Sequence, residues 1–482
     1  MSSDVQLRIT RLAGLITFMF LLIIAWQSYW QLAKRDWLLA QPTNRRMARA
    51  ERSIPRGAIY DERGVRLAWT EGGQRRYADP RATAAVLGYL DPVYGRVGVE
   101  GAWDLELAGL SPKFTVQELH RILDGERPHG KDLQLTLDLR LQQTALDALG
   151  DRHGAVVVLD PATGGILALA SNPTFNAQTI RADYAQLAKR DEGALRNRAT
   201  QDLYPPGSTM KVVTAAAALM HDVNPKTRYT CTGDTPLNGT TISDYHGERH
   251  GKIDMSQALA ESCNYYFART ATVLGQQPFM ESAEAFGFNQ RWWSKLPDAR
   301  MLPLTLAESS LAPDPTRPLP VGEFAQMGFG QATVVATPLQ MAMVGAAVAN
   351  RGTVMAPYLV SAVRKGGTQT TLATFTSVPI GFPLDAEHAD ALATMMRRVV
   401  TSGTGTGANH LPGVTVYGKT GTAQQNGGDD HAWFMGFAEQ GQGEAAQRIA
   451  FAVVIERGGT GGRVAVPIAR RVVQAWHDEA HR

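Results

Sequence analysis

The sequence predicts an α+β protein in three parts: a short tail and single N-terminal transmembrane helix over residues 1–34, a connector with a small domain over 35–150, and a larger domain over 151–482 in which an antiparallel sheet carries helices. Three observations carry that prediction. Residues 12–33 contain no charged side chain. Strand-like apolar runs gather at both ends of the stretch that begins at Ala155, with helical patterns between them. Finally, 482 residues at 44% hydrophobic and 19% charged supply a large core, which excludes a disordered or fibrous chain. A net charge of +3 is too small to mark a nucleic-acid binder. Two cysteines, Cys231 and Cys263, exclude a disulfide scaffold and a four-cysteine zinc site.

The apolar run comes first. As a helix rising ~1.5 Å per residue it covers roughly 33 Å, enough to cross a hydrocarbon core. Trp26, Tyr29 and Trp30 fall where an interfacial aromatic belt would sit, followed by Lys34 and Arg35. A cleaved signal peptide would show a small-x-small site, whereas this flank is aromatic and basic. Residues 34–56 carry seven basic and two acidic side chains, a local charge of +5 (7 − 2). The positive-inside count would leave that stretch in the cytoplasm, but the rule weakens for large translocated domains. Orientation therefore rests on the chemistry, which demands the outer face.

Residues 57–150 mix short strand-like pieces with turns at 61–64 and 90–92. Residues 138–149 read as an amphipathic helix, with Leu139, Gln142, Ala145 and Leu149 along one side. At Ala155 the pattern changes: apolar runs 155–159 and 166–170 flank Asp160-Pro-Ala-Thr-Gly-Gly165, a hairpin signal. Further strands are expected over 414–423, 432–438 and 449–455, and helices over 209–220 and 341–349. Strands from both ends of the domain would form one sheet.

Three segments could do chemistry. In Tyr204-Pro-Pro-Gly-Ser208-Thr-Met-Lys211 the prolines cannot sit inside a helix, so the Ala-rich helix begins near Ser208, at unpaired backbone N–H groups and the positive end of the dipole. Lys211 lies one turn on, amid Val212, Val213 and Ala215, poor company for a solvated charge. A serine nucleophile needs an adjacent base, and a lysine serves once burial or another cation leaves it neutral. Ser262-Cys263-Asn264 follows a helical stretch, Met255–Glu261; its serine and asparagine can face one cleft if the backbone turns there. Lys419-Thr420-Gly421-Thr422 ends an alternating strand, where Gly421 leaves room for a ligand along the edge and Lys419 with the threonines could hold a carboxylate.

Other patterns are set aside. Residues 413–420 fit the Walker A letters, but they alternate like a strand and no helix follows. Residues 403–407 form a lone Gly-rich loop. His246 and His250 have helical metal-pair spacing, yet Gly247 and the polar setting favour a loop, so no metal is expected.

Ser-x-x-Lys, Ser-x-Asn and Lys-Thr-Gly in this order resemble the penicillin-interacting serine acyltransferases. Arg56-Gly-Ala-Ile-Tyr-Asp61, Gly98-Val-Glu100, Leu135-Thr-Leu-Asp138 and Val158-Leu-Asp-Pro161 resemble the non-catalytic pedestal, or dimerisation-like domain, of class B penicillin-binding proteins. Gly328-Phe-Gly330-Gln331, Thr337-Pro-Leu-Gln340 and His431-Ala-Trp433-Phe434 are similar to their transpeptidase domain, which is serine β-lactamase-like.

That resemblance implies a monofunctional D,D-transpeptidase, without a glycosyltransferase domain, that cross-links peptidoglycan stems ending in D-Ala-D-Ala and is acylated by β-lactams. Ser208 would be the nucleophile and Lys211 its base; Ser262 would relay a proton, and Lys419 would help keep Lys211 neutral. Asn264 would bind the donor amide, and Lys419, Thr420 and Thr422, with Gly421 giving room, its carboxylate. The oxyanion would lie between the backbone N–H groups of Ser208 and Thr422. The resemblance implies no cofactor. Its implied partners are lipid-linked glycan strands, β-lactams and a SEDS-family membrane glycosyltransferase, at the inner membrane of a bacterial cell with the catalytic domain extracytoplasmic. A D,D-carboxypeptidase or a β-lactam sensor of the same fold are the alternatives; Cys263 is expected as a small buried filler, with a Cys231–Cys263 bridge as the other possibility.

Overall fold

The computed structural model describes residues 3–34, 54–110, 129–189, 192–312, 317–424, 429–441, 443 and 446–480. The connector at 35–53 lies outside them.

The N-terminal helix runs over Ser3–Ser28 and closes with a π-helical turn at Tyr29–Ala33. Its apolar span, Ile9–Gln31, is 23 residues long and is left unburied by the other described residues, as a membrane-crossing helix would be. The hydroxyl of Thr17 within that span donates to the Ala13 carbonyl at 2.9 Å, so it needs no water. Trp26, Tyr29 and Trp30 form an aromatic cluster with ring centroids 5.9–6.3 Å apart at the end of the helix.

The small domain is built on a six-stranded sheet. From one edge its strands are Thr371–Thr374, Val360–Arg364, Asp132–Leu135, Ile59–Tyr60, Arg66–Glu71 and Gln74–Tyr77. Two of the six come from far down the chain, so residues 57–150 do not make this sheet alone. Both expected turns form because an aspartate organises each. Asp61 accepts from the N–H groups of Arg63 (3.0 Å) and Val65 (2.7 Å), and Asp91 from those of Val93 (2.8 Å) and Tyr94 (2.9 Å). Below the sheet, fully buried Glu100 pairs with Arg56 at 2.9 Å and Arg75 at 2.5 Å, while Arg56 also holds Asp104 at 2.8 Å. Burial pushes the Glu100 carboxyl up, but Arg75 and Arg56 outweigh it and hold it below the usual carboxylate range.

The large domain carries a five-stranded antiparallel sheet in the order Val414–Ala423, His431–Gln440, Gln447–Ile455, Gly154–Leu159, Ile166–Asn172. Strands from the two ends of the domain do meet, through the pairing of Gln447–Ile455 with Gly154–Leu159. The alternation of side chains divides the core into two layers. Trp433, Met435 and Phe437 enter the layer that holds the helices Lys211–Met220 and Pro338–Ala349. Ala432, Phe434 and Ala438 enter the other, under the helices Leu139–Leu149 and Gly461–Ala480. Every residue of Pro338–Ala349 is buried, and Gly345 sits where the helix meets the sheet; a Cβ there would lie 2.5 Å from the Gly436 carbonyl oxygen. The helix expected at 341 starts three residues earlier, because Thr337 caps it by accepting from the Gln340 N–H at 3.1 Å and Pro338 fits its first turn.

Candidate active site

The nucleophile candidate sits on a tight turn laid against the sheet edge. Gly207–Met210 is a 3-10 turn, and the α-helix Lys211–Met220 continues directly from it. The N–H of Lys211 bonds to the Ser208 and Thr209 carbonyls. The turn is clamped by close backbone approaches: Gly207 donates its N–H to the Gly330 carbonyl at 3.0 Å, and a Cβ on Gly207, whose φ is +52°, would lie 2.8 Å from the Thr422 carbonyl oxygen. Ser208 is therefore held beside Thr422 at the end of the strand Val414–Ala423.

Ser262 ends the helix Met255–Glu261 in the left-handed conformation (φ 64°, ψ 38°), and Cys263 then caps the helix Asn264–Leu274. That reversal turns Ser262 and Asn264 to one side. The Lys211 Nζ reaches the Ser262 carbonyl at 2.5 Å, its hydroxyl at 3.2 Å and the Asn264 Oδ1 at 2.7 Å. From the sheet, Lys419 Nζ donates to the same Ser262 hydroxyl at 2.9 Å and to the Thr420 carbonyl at 2.9 Å. Three segments far apart in the chain thus close on one hydroxyl group.

Both ammonium groups are fully buried. Burial lowers Lys211 to about 8, against the opposing pull of Cys263, Asp244 and Cys231. Burial lowers Lys419 well below its ordinary value, and the charge on Lys211 lowers it further. The direction of that influence differs from the sequence expectation: burial disposes Lys211 to lose its proton, and it is Lys211 that lowers Lys419.

The strand Val414–Ala423 is the edge of the five-stranded sheet, which leaves one side of its backbone to a ligand. It is regular strand throughout, so the Walker A lettering at 413–420 is not a phosphate loop. Arg397 covers its first half by donating to the Val416 carbonyl at 3.0 Å. Thr420 shares a 2.5 Å hydrogen bond with the Thr404 hydroxyl, and the sequence singled out no role for Thr404, which lies in the Gly-rich loop it set aside.

Asp244 is the larger omission. Its carboxylate accepts the Asn264 backbone N–H and the Cys231 thiol (2.7 Å), with the Cys263 sulfur 3.6 Å away. Nothing local in the sequence marks it. Cys231 and Cys263 are free and buried, so no bridge joins them, and Cys263 does more than fill space: its sulfur accepts the Tyr266 N–H at 3.3 Å. Together with His250, the donor atoms of Cys231, Asp244 and Cys263 lie within 4.8 Å of one another. Two thiols, an imidazole and a carboxylate are the donors that a tetrahedral ion of the zinc kind takes, so these residues could hold a metal. His246, whose spacing from His250 the sequence reading set aside, takes no part in the group.

Comparison with known proteins gives the family. The penicillin binding protein transpeptidase domain family matches residues 154–474, and the penicillin binding protein A dimerisation domain matches residues 56–133. The chain belongs to the penicillin-binding transpeptidases, and within them to class B. It is 33% identical to the peptidoglycan D,D-transpeptidase PbpA of Mycolicibacterium smegmatis, over 96% of this chain and 98% of that one. It is 32% identical to the peptidoglycan D,D-transpeptidase MrdA of Acinetobacter baumannii, over 79% of this chain and 60% of that one. The structure of penicillin-binding protein A from Mycobacterium tuberculosis, a ceftriaxone acyl-enzyme, superposes with a TM-score of 0.79 at 30% identity, covering 88% of this chain and 99% of that one.

Proposed function

We propose that this protein is a peptidoglycan D,D-transpeptidase in which Ser208 carries the acyl group. The observation that supports it most is the single hydroxyl of Ser262 held between the amines of Lys211 and Lys419, beside the turn that bears Ser208. Ser208 attacks the penultimate D-Ala carbonyl and passes its proton to neutral Lys211. Backbone N–H groups of Ser208 and Thr422 receive the oxyanion, each such donor worth roughly 3–4 kcal/mol. Ser262 relays the proton to the departing D-Ala. Asn264 binds the donor amide, and Lys419, Thr420 and Thr422 its carboxylate, with Gly421 leaving the edge open. An amine of a neighbouring stem then takes the acyl group, and a β-lactam acylates the same serine without release.

In this reading the chain divides into an anchor over 1–34, a connector and pedestal over 35–150, whose sheet is completed by the strands at 360–374, and a catalytic domain over 151–482. The anchor holds the catalytic domain on the extracytoplasmic face of the inner membrane, where peptidoglycan is made. A SEDS-family glycosyltransferase supplies the glycan strands. The test is to supply lipid-linked stem peptides with a polymerising glycosyltransferase and separate the products. Cross-linked dimers are expected; D-Ala release without dimers would make it a D,D-carboxypeptidase.

A further inference from the structure

The segment that delivers the nucleophile is pinned at three successive points before it reaches Ser208. Tyr204 exchanges backbone hydrogen bonds with Ala336 at 3.0 and 2.8 Å. The Pro205 carbonyl accepts the indole N–H of Trp433 at 3.1 Å. Gly207 bonds to Gly330, as described above. A fourth contact is of another kind. The Tyr204 ring, 5% exposed, stands edge-on to His431 and Trp433, with centroids 5.3 and 6.0 Å away. Its hydroxyl donates to Glu456 Oε1 at 2.7 Å, and Asp202 Oδ2 lies 3.2 Å from the same hydroxyl oxygen.

Glu456 follows immediately on the strand Gln447–Ile455, in the middle of the sheet, and its N–H is fixed to the His153 carbonyl at 2.9 Å. The same Oε1 accepts from Arg198 at 2.9 Å, and the other oxygen lies 3.8 Å from His153 Nδ1. Arg198 is itself held by the Gly193 carbonyl at 3.2 Å, the Glu192 carbonyl at 2.6 Å and Ser171 through its backbone N–H at 3.0 Å. A charge set at the rigid end of a strand is thus joined through one phenol to the residue four before the nucleophile. The mechanism proposed above uses none of Glu456, Tyr204 or Arg198.

We infer that Glu456 is a positioning residue, which through the Tyr204 hydroxyl holds residues 204–208 at the height on the sheet where Ser208 meets its oxyanion donors. The inference rests on Ser208 being the acylated residue. The brace adds to the pins at Tyr204, Pro205 and Gly207 in setting Ser208 against Thr422, whereas Lys211, Ser262 and Asn264 are held by their own bonds. Loss of the brace therefore slows acylation while leaving reversible drug binding intact, because a small displacement of reacting atoms costs rate far more than affinity.

The test uses the full-length protein in detergent and stopped-flow acylation by a fluorescent penicillin, resolving the reversible binding constant from the acylation rate constant. Glu456→Ala and Tyr204→Phe are each expected to lower the acylation rate constant about 10- to 100-fold with the binding constant within about twofold. Glu456→Gln, whose amide oxygen still accepts the phenol proton, should recover much of the rate. Tyr204→Phe keeps the ring packing, so it reports even if Glu456→Ala unfolds; thermal unfolding of each variant is recorded alongside. Wild-type rates in both Tyr204→Phe and folded Glu456→Ala overturn the inference, as does a loss confined to the binding constant. A wild-type protein that is never acylated would instead overturn the function on which the inference rests.

Discussion

Lys211 and Lys419 are both fully buried and both bonded to the Ser262 hydroxyl, an arrangement that two full charges could not tolerate. With Lys211 near 8, its neutral fraction grows as pH rises, so penicillin acylation should climb about tenfold per pH unit below that value and level above it. A flat profile between about pH 6 and 9 would contradict a lysine base. The same shift has a stability consequence. Folded Lys211 holds its proton less tightly than the unfolded side chain at 10.5, so unfolding takes up a proton in the window from about 8 to 10.5 and stability rises with pH across it. Lys211→Ala removes the proposed base and should slow acylation about 10²- to 10⁴-fold in the same assay. Part of this was legible beforehand: the prolines before Ser208 mark where the helix begins, and the apolar company of Lys211 announces a buried amine. Asp244 and Thr404 were not. Each acts by holding another residue, Asn264 or Thr420, and such a role is fixed by tertiary contact alone.

At the scale of elements, alternation was the reliable signal. Val414–Ala423 occupies the span read from its pattern, and the hairpin around Asp160 pairs as expected, Leu159 opposite Ile166. The helices Ala386–Ser402 and Gly461–Ala480 went unread, although both present apolar stripes; Val399 and Val400 of the first and Val472 and Val473 of the second are buried. Strand partners were harder still. Nothing in Val360–Arg364 says that it will pair with Asp132–Leu135, more than two hundred residues earlier in the chain, since that choice is made by whichever apolar face is left uncovered. Helix packing on the sheet gives a direct test. Gly345→Val places side-chain atoms against the Gly436 carbonyl and should destabilise the fold by ~1–3 kcal/mol, seen as a lower unfolding midpoint. An unchanged midpoint would mean that this crossing is looser than the structure has it.

In the whole molecule, the pedestal and the catalytic domain are interwoven. Besides the shared sheet, Arg300 lies over the Trp103 ring at 4.3 Å, accepts the Trp103 indole N–H at its carbonyl and pairs with Glu106 at 2.6 Å. Glu100→Ala leaves Arg75 buried without its carboxylate and Arg56 with Asp104 alone, at a cost of about 3–5 kcal/mol. Because the pedestal sheet contains strands that leave and re-enter the catalytic domain, calorimetry should show one lowered transition; two separate transitions would mean that the domains unfold independently. Orientation has its own test. Protease added outside spheroplasts should digest residues beyond the anchor, and protection of that region would restore the topology that the basic residues at 34–56 suggested. The most direct measurement remains the covalent one: label the purified protein with penicillin, digest it, and map the modified peptide. The drug should be found on Ser208 and be lost in Ser208→Ala with the fold intact; a label on any other residue, or one that survives that substitution, would contradict the account.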